Sequence, residues 1–267
     1  MPRRIVIKIG GSVLQDENSF APLAARLVSY LRDQPRLERA YVVVSAMKGV
    51  TDRTIDALAP DLNSRLLLRE RLSGIKPRTG EADGWDRPSR SLNLLWGEIE
   101  SAFLLKEAIE RNGIPVGVIT QLGLFPILAD GDYLHARIDF RESRARFPAF
   151  DLACGEGRVI ILSGFGAVNR AGEPVLLGRN ASDYVAAVMS RLDKRIDFVL
   201  FLKDVGGIYE EFGTERQRLV ERTSLSDLKA APPGQVLDGR VLDAIRCDFR
   251  VTGAKIGRGG TVVRRAG

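Results

Sequence analysis

Short apolar segments that end in a glycine-containing turn and then run into an amphipathic stretch are the feature that most constrains how this chain folds. Residues 4–9 (RIVIKI) are such a segment, followed by Gly10-Gly11-Ser12 and by helical periodicity over residues 20–31. Residues 40–45 repeat the pattern and lead into a helix predicted over residues 52–58. Because strands that alternate with helices are joined by crossover connections, the pattern predicts a mostly parallel sheet covered by helices on both faces.

The alternation continues along the rest of the chain. Further strands are predicted at residues 114–119, 158–162 and 198–202, and further helices at residues 92–111 and 183–192. Two strand-like segments around a glycine-rich turn, residues 249–251 and 261–263, predict a hairpin near the C-terminus. We therefore expect an α/β fold, a three-layer α/β/α sandwich with a mostly parallel central sheet.

The domain organisation follows from the segment between the second and third predicted strands. Residues 73–90 combine proline, glycine and mixed charges, which indicates an exposed loop or lid rather than a linker between domains. We therefore expect residues 1–267 to form one domain, with no C-terminal regulatory domain.

Composition indicates where the protein works. Of the 267 residues 45% are hydrophobic, enough to bury a sizeable core. No segment approaches the roughly 20 uncharged apolar residues of a membrane span. Lys8 interrupts the apolar run near the N-terminus, which disfavours a secretory signal. The expectation is a cytoplasmic protein with no membrane partner.

Cysteine, histidine and net charge exclude two further classes. Cys154 and Cys247 form no closely spaced pair, and His135 is the single histidine, so a structural zinc site is not expected. His135 stands in a polar stretch, which predicts a solvated loop position without a catalytic role. The net charge of +6 comes from scattered basic residues without an interleaved aromatic stripe. An anionic small ligand accounts for the charge equally well, and no nucleic-acid partner is expected.

Lys8 stands beside the first glycine turn. Glycine turns after parallel strands expose backbone N–H groups at the carboxyl edge of a sheet, where anions bind. Gly10 and Gly11 let the backbone approach phosphate oxygens, and Lys8 can offset their charge. The alternative is a tight strand-to-helix turn beside a surface lysine. The element matches neither G-x-G-x-x-G nor G-x-x-x-x-G-K-[ST], so neither a dinucleotide fold nor a P-loop enzyme has its usual signature.

Six motifs stand at or near the predicted turns: residues 8–12 (KIGGS), 45–51 (SAMKGVT), 96–98 (WGE), 164–166 (GFG), 178–183 (GRNASD) and 204–209 (DVGGIY). In type and order they resemble the aspartate kinases of the amino acid kinase family, over nearly the whole chain. The resemblance implies the amino acid kinase fold and transfer of the γ-phosphoryl group of ATP to a carboxylate, giving an acyl phosphate. It also implies ATP and Mg²⁺, a small amino acid such as aspartate or a close analogue, and a homodimer.

The resemblance implies a catalytic pair and a phosphate cradle. Lys8 would bridge the phosphates, and Asp183 would hold that lysine and the glycine-loop amides in place. A helix N-cap is the alternative role for Asp183. Gly10, Gly11 and Ser12 would supply donors around the transferred group.

The implied substrate side comprises Ser45, Thr51, Glu98, Arg179 and Ser182. Glu98 would accept the substrate ammonium, and Arg179 would bind a substrate carboxylate through its planar guanidinium. Recognition of both charges favours an amino acid over a phosphate acceptor.

The implied nucleotide side adds Gly164, Lys203, Asp204 and Tyr209. Here the sequence departs from the family pattern TDVDGIY, because Gly206 replaces the second aspartate. The DPR triplet that usually follows is missing, so the expected nucleotide-binding arginine would have to be replaced by Arg216 or Arg218.

Two further departures concern the phosphate and substrate loops. Asn180 and Ala181 replace two glycines of the family's GRGGSD motif, which would narrow or re-aim the pocket. Gln235 stands where the GAKVLH segment has a phosphate-binding lysine. A neutral amide cannot offset phosphate charge, so we expect Lys203, or alternatively Lys48, to take over that role.

Three functions follow from these observations. The first is an amino acid kinase acting on aspartate or a related amino acid, and the second is the same fold acting on another small carboxylate, carbamate or phosphate. The third, motivated by Gln235 and the missing DPR triplet, is a nucleotide-binding regulatory or degenerate subunit. Because no ACT-like sequence follows residues 260–263, inhibition by lysine or threonine in the family's usual manner is not expected.

Overall fold

A computed structural model describes residues 3–59, 61–73, 88–230, 237–254, 256 and 259–265. The strands are β1 (Arg3–Ile9), β2 (Leu37–Val44), β3 (Val116–Ile119), β4 (Ala129–Asp130), β5 (Arg137–Ile138), β6 (Val159–Ser163), β7 (Gly166–Val168), β8 (Pro174–Leu176), β9 (Ile196–Leu202), β10 (Tyr209–Glu210), β11 (Arg218–Leu219), β12 (Arg222–Ser224), β13 (Asp248–Thr252) and β14 (Thr261–Arg264). The helices are α1 (Phe20–Arg32), α2 (Val50–Leu58), α3 (Leu62–Leu72), α4 (Pro88–Glu110), α5 (Phe140–Ala153), α6 (Ala181–Leu192), α7 (Leu225–Ala230) and α8 (Gly239–Ala244).

Eight of these strands form one sheet in the order β12-β14-β13-β9-β1-β2-β6-β3. All neighbouring pairs are parallel except β13 and β14, which are antiparallel. The predicted C-terminal hairpin and the mostly parallel sheet are therefore confirmed. The central strands β1 and β2 are almost entirely buried, as expected of parallel strands with helices on both faces.

Each face of the sheet packs into its own apolar core, because successive strand residues point to opposite sides. Val6 and Val43 join one core, together with residues of α5, α6 and α8. Ile7 and Val42 join the other, together with residues of α1 and the second half of α4. The molecule is thus the expected three-layer α/β/α sandwich. Within the described part of the chain, no helix has the length and apolar character that crossing a bilayer requires.

Some local predictions differ from the structure. The helices predicted at residues 52–58 and 183–192 both begin two residues earlier, after Gly49 and Asn180, which have positive φ angles. The predicted loop over residues 73–90 is partly wrong, because Pro88–Glu110 is helical; residues 74–87 lie outside the described residues. His135 does not occupy a solvated loop. It forms a β-bridge with Leu177 and is half-buried.

A buried ion network closes the amino edge of the sheet, opposite the glycine turns. Arg4 at the start of β1 donates hydrogen bonds to Asp151 at 2.7 Å and to Asp193 at 2.8 Å. Arg39 on β2 also donates to Asp151, and Arg195 donates to its other oxygen at 2.7 Å. Burial alone would raise the pKa of Asp151, but the hydrogen bonds from Arg4 and Arg195 lower it to about 2. The network ties β1, β2 and α5 together.

We expect Asp151→Asn to lower the free energy of unfolding at pH 7 by about 1–3 kcal/mol, the scale of a lost charged hydrogen bond. Because the folded-state pKa is depressed, this stabilisation is present above about pH 4 and is lost as the pH falls towards 2. Urea unfolding at pH 7 and pH 3 should therefore show the variant approaching wild type at the lower pH. The exposed neighbour Glu156→Gln is the control, and an equal loss at both pH values would contradict this account.

Candidate active site

A cavity of about 270 Å³ opens at the carboxyl edge of the sheet. Backbone hydrogen bonds bring the predicted turns together there: Gly10 donates to Leu202, Ser45 to Ile9 and Gly164 to Val44. Seven of the predicted site residues line the cavity, namely Gly11, Ser12, Ser45, Thr51, Glu98, Arg179 and Ser182. Loops that are far apart in sequence thus meet at one edge, as parallel strands require.

A cluster of two lysines and one aspartate lies beside this cavity. Lys8 on β1 and Asp183 on α6 are both buried, and Lys8 Nζ lies 2.6 Å from Asp183 Oδ1. Lys203, which directly follows β9, donates to the other oxygen of Asp183. Burial would raise the pKa of Asp183, but the two ammonium groups outweigh it and hold the pKa below its usual range. Burial and the nearby Lys8 lower the pKa of Lys203. With two ammonium groups against one carboxylate, the cluster carries a net positive charge.

The alternative role of Asp183 as a helix N-cap is wrong. Asn180 occupies the N-cap position of α6 with φ 58°, and Asp183 lies inside the first turn. Asparagine is among the few residues that adopt this left-handed conformation readily, which explains how it stands where a glycine was expected. Gly49, with φ 76°, holds the corresponding position before α2.

The N-termini of α2 and α6 both face the cavity. In neither helix does the side chain of the N-cap residue accept a hydrogen bond from a backbone N–H of the first turn. The cavity wall includes Gly49 and Thr51 of one terminus and Asn180 and Ala181 of the other. Free N–H groups at a helix N-terminus, together with the helix dipole, favour a bound anion. Two such termini beside the lysine cluster indicate that this edge of the sheet is an anion-binding site.

The glycines of the site allow the turns to pack closely. A Cβ atom on Gly11 would lie 2.6 Å from the carbonyl oxygen of Ala46. One on Gly164 would lie 2.5 Å from Cβ of Ser182 and 2.7 Å from the carbonyl oxygen of Val44. This contact keeps Ser182 within hydrogen-bond distance of Ser45, with 2.8 Å between their hydroxyl oxygens.

Glu98 presents a buried acceptor from α4. Its Oε2 atom is buried and accepts no hydrogen bond from the described residues. Burial raises the pKa of Glu98 to about 8, although the Lys8 ammonium and the N–H of Ala46 act in the opposite direction. A buried, unpartnered carboxylate is costly, so it is well suited to accept a donor from a ligand.

The remaining predicted residues lie outside the cavity wall. Asp204 is exposed and Tyr209 is half-buried on β10, where its ring packs 5.9 Å from that of Phe212. Arg218 is exposed and paired with Glu210. Gln235 lies outside the described residues. The structure thus brings together the residues predicted for the phosphates and the substrate, with Gly164 and Lys203 beside them, while Asp204 and Tyr209 do not line the cavity.

Two residues that position the site were not predicted. Gln121 is buried after β3, and its Nε2 donates to the carbonyl oxygens of Ser163 and Gly164 at 3.1 and 3.0 Å. Arg240 on α8 donates to the carbonyl oxygens of Leu177 and Arg179, fixing the turn before α6. The signal for Gln121 was its place just beyond a predicted strand; nothing in the sequence singled out Arg240.

Comparison with known proteins assigns nearly the whole chain to one protein family. The family model described as the amino acid kinase family matches residues 3–255. The chain belongs to the amino acid kinase family. An aspartokinase of Chlamydia pneumoniae is 27% identical over 228 residues, covering 77% of this chain and 48% of that protein. A bifunctional aspartokinase/homoserine dehydrogenase of Haemophilus influenzae is 37% identical over 94 residues, covering 35% of this chain and 11% of that protein.

Solved structures agree on the fold of this amino acid kinase family member. Aspartokinase III of Escherichia coli, solved in complex with aspartate and ADP, superposes with a TM-score of 0.73 at 18% identity. That match covers 98% of this chain and 65% of the other chain. The match spans about half the length of the Chlamydia pneumoniae aspartokinase and a smaller part of the bifunctional Haemophilus influenzae protein.

Proposed function

We propose that this protein is an ATP-dependent kinase that phosphorylates the carboxylate of a small amino acid, aspartate or a close analogue, to an acyl phosphate. The observation that carries the proposal is the Lys8–Asp183–Lys203 cluster, set beside a cavity that two uncapped helix N-termini face. This arrangement supplies positive charge where phosphoryl oxygens would lie. Family membership and the aspartokinase relatives support the same activity.

The residues at the carboxyl edge of the sheet fit a nucleoside triphosphate. Gly10 and Gly11 leave the backbone of the first turn bare, with the Cβ position of Gly10 3.5 Å from Lys8 Nζ. When bound, ATP would supply the γ-phosphoryl group, and the Mg²⁺ that accompanies it would neutralise part of its charge. We propose that Asp204 and Tyr209 contact the nucleoside end, because they follow β9 on the Lys203 side of the cluster.

In the proposed reaction, a substrate carboxylate oxygen attacks the γ-phosphorus and the bond to the β-phosphate oxygen breaks. Charge shifts from the transferred group towards the leaving oxygen, and no covalent intermediate with the protein is needed. Lys8 stabilises that charge from its buried position, while Asp183 fixes the two lysines. Gly11 and Ser12 donate N–H or hydroxyl groups around the transferred phosphoryl. The donor role predicted for Gly10 is wrong, because its only N–H group is bonded to the carbonyl oxygen of Leu202.

The substrate side is proposed to recognise both charges of an amino acid. Glu98, whose Oε2 lacks a partner among the described residues, accepts the ammonium group. Arg179 at the cavity mouth binds the carboxylate that does not react. Ser45 and Ser182, whose hydroxyl groups are hydrogen-bonded to each other, line the cavity together with Thr51.

A coupled assay of ADP release against a panel of amino acids, with hydroxylamine present to trap acyl phosphate as a hydroxamate, tests the proposal. We expect a hydroxamate with aspartate or an analogue of it. Turnover only with acids that lack an ammonium group would favour the same fold acting on another acceptor. Calorimetric ATP binding without turnover on any acceptor would favour the degenerate subunit, which the Gln235 substitution motivates.

The buried state of Glu98 predicts how amino-acid binding depends on pH. Because its pKa is raised to about 8, the carboxyl is mostly protonated in the free protein at lower pH and must lose that proton to accept an ammonium group. We expect the KM for the amino acid to rise about fiftyfold as the pH falls from 8 to 6, approaching tenfold per pH unit below pH 7, with the KM for ATP unchanged. Glu98→Gln should have a high, pH-independent KM. A flat wild-type KM over this range would refute the role of Glu98.

We also propose an oligomeric state, a domain organisation and a cellular location. Family resemblance supports a homodimer, and Trp96 and Phe103, which are exposed and lie two turns apart on α4, are candidates for its interface. Multi-angle light scattering measures the assembly. We further propose a single catalytic domain over the chain and a cytoplasmic location, where ATP and amino acids are available.

A further inference from the structure

The mouth of the cavity carries a carboxylate that the proposed reaction does not use. Asp52 lies in the first turn of α2 and lines the cavity together with Arg179. Its Oδ1 atom is buried and accepts no hydrogen bond from any residue in the part of the chain that the structure describes. The same atom lies 3.7 Å from Nη2 of Arg179 and 3.6 Å from Nη2 of Arg69 on α3. Asp52 therefore faces two guanidinium groups at ion-pair distance.

These ion pairs are weak and exchangeable. The side chains of Asp52 and Arg179 are 50% and 46% exposed, and ion pairs at such positions contribute at most about 1 kcal/mol. A carboxylate that forms two short hydrogen bonds with a guanidinium gains energy and geometric specificity that a pair at 3.7 Å lacks. A ligand carboxylate that enters the cavity can therefore take the place of Asp52 at Arg179.

We propose that Asp52 is an internal competitor for Arg179, which it occupies in the free protein and releases when the substrate carboxylate binds. This inference rests on the proposed function, because Arg179 is the proposed partner of that carboxylate. Asp52 thereby weakens the binding of every acid that uses Arg179. Asp52 thus favours acids whose carboxylate contacts the Arg179 guanidinium closely enough to displace the Asp52 carboxylate.

The matched control is Asp56, one turn later on the same helix. Asp56 lies 3.6 Å from Arg65 and 3.7 Å from Arg69. Asp56→Asn thus removes a similar charge and a similar contact with α3, yet Asp56 is not among the residues that line the cavity. Any effect of Asp52→Asn that Asp56→Asn does not share is therefore due to the position of Asp52 in the cavity wall, and not to its contact with α3.

The test measures kinetics for the amino acid that the panel identifies, and calorimetric binding of L-aspartate to the ADP-loaded protein. We expect Asp52→Asn to lower the KM and the dissociation constant about three- to fivefold, the scale of an exposed ion pair. The kcat and the KM for ATP should stay near wild type, as should all constants of Asp56→Asn. In an Arg179→Ala background, Asp52→Asn should have no further effect.

Four results would overturn the proposal. A higher KM in Asp52→Asn would show that Asp52 holds Arg179 in position or binds the substrate itself. A gain that persists in the Arg179→Ala background would show a general field effect rather than competition at Arg179. Normal wild-type turnover with an unchanged KM in Asp52→Asn would refute the competition while leaving the kinase intact. If the wild type neither turns over any acceptor nor binds L-aspartate, the proposed function itself fails, and the competition fails with it.

Discussion

Lys203→Ala should reduce kcat by a factor of about a hundred or more, corresponding to about 2.7–4 kcal/mol of transition-state stabilisation. Lys203 is mostly buried and donates to Asp183, which also pairs with Lys8. Its ammonium group therefore lies close to the proposed phosphoryl position and can supply the charge that Gln235 lacks. Steady-state kinetics at saturating ATP and amino acid measure the loss, with thermal unfolding to confirm that the variant is folded.

Lys48→Ala is the matched control, because Lys48 lines the same cavity but is exposed. It should leave kcat near wild type. Gln235→Lys should add little if the charge is already supplied by Lys203. A strong rise of kcat in Gln235→Lys, with Lys203→Ala and Lys48→Ala both silent, would contradict the compensation and favour a partly degenerate kinase.

Lys8→Ala and Arg179→Ala should separate turnover from binding. Lys8 is buried beside Asp183 and meets charge that develops in the transition state, so its loss should lower kcat by about 10²–10³ with little change in the KM for the amino acid. Arg179 binds a group that the reaction leaves unchanged. Its loss should raise that KM by about 10- to 100-fold, as expected for a charged hydrogen bond, and leave kcat within a few-fold.

Both variants should be measured over a full range of amino-acid and ATP concentrations, so that the two constants are resolved. Lys8→Met keeps the apolar stem of the lysine and controls for lost packing in the sheet. If both substitutions raised the KM alone and by the same factor, the two roles would be misassigned.

The parallel sheet and the site edge were predictable because local signals agree there. Apolar strands such as residues 4–9 and 40–45 each end in a small-residue turn, and the carboxyl ends of parallel strands meet at one edge. The ion pair between Lys8 and Asp183 follows from that geometry.

Of the eight α-helices in the described residues, α3, α5, α7 and α8 were not predicted, and for α5 and α3 the reason is identifiable. α5 contains Pro148, which normally argues against a helix interior, yet Asp139 caps its N-terminus and Phe147 and Phe150 bury one face. α3 carries arginines among its leucines, so its apolar periodicity is weak. Its start depends on Asp61, whose carboxylate accepts a hydrogen bond from the N–H of Ser64. In both cases tertiary packing outweighs the local pattern.

The contacts between loops were the least predictable part of the site. The approach of Asp52 to Arg179, and the hydrogen bonds of Gln121 to residues 163 and 164, join segments more than 40 residues apart. Their geometry depends on how the strands and helices pack, and no periodicity or spacing records it. The residue types of the site and the pair between Lys8 and Asp183 were therefore predictable, while the other pairings of the site were not.

The central claim is that phosphoryl transfer goes to a carboxylate oxygen, and an isotope label follows that oxygen. Amino acid labelled with ¹⁸O in its carboxylates is incubated with ATP, the protein and hydroxylamine, and the released phosphate is observed by ³¹P NMR. Attack of hydroxylamine at the acyl carbon expels phosphate that retains the bridging oxygen. The account predicts one ¹⁸O atom per phosphate, formed in step with the hydroxamate. Phosphate without the label, released at the same rate with or without the amino acid, would show transfer to water and contradict the account.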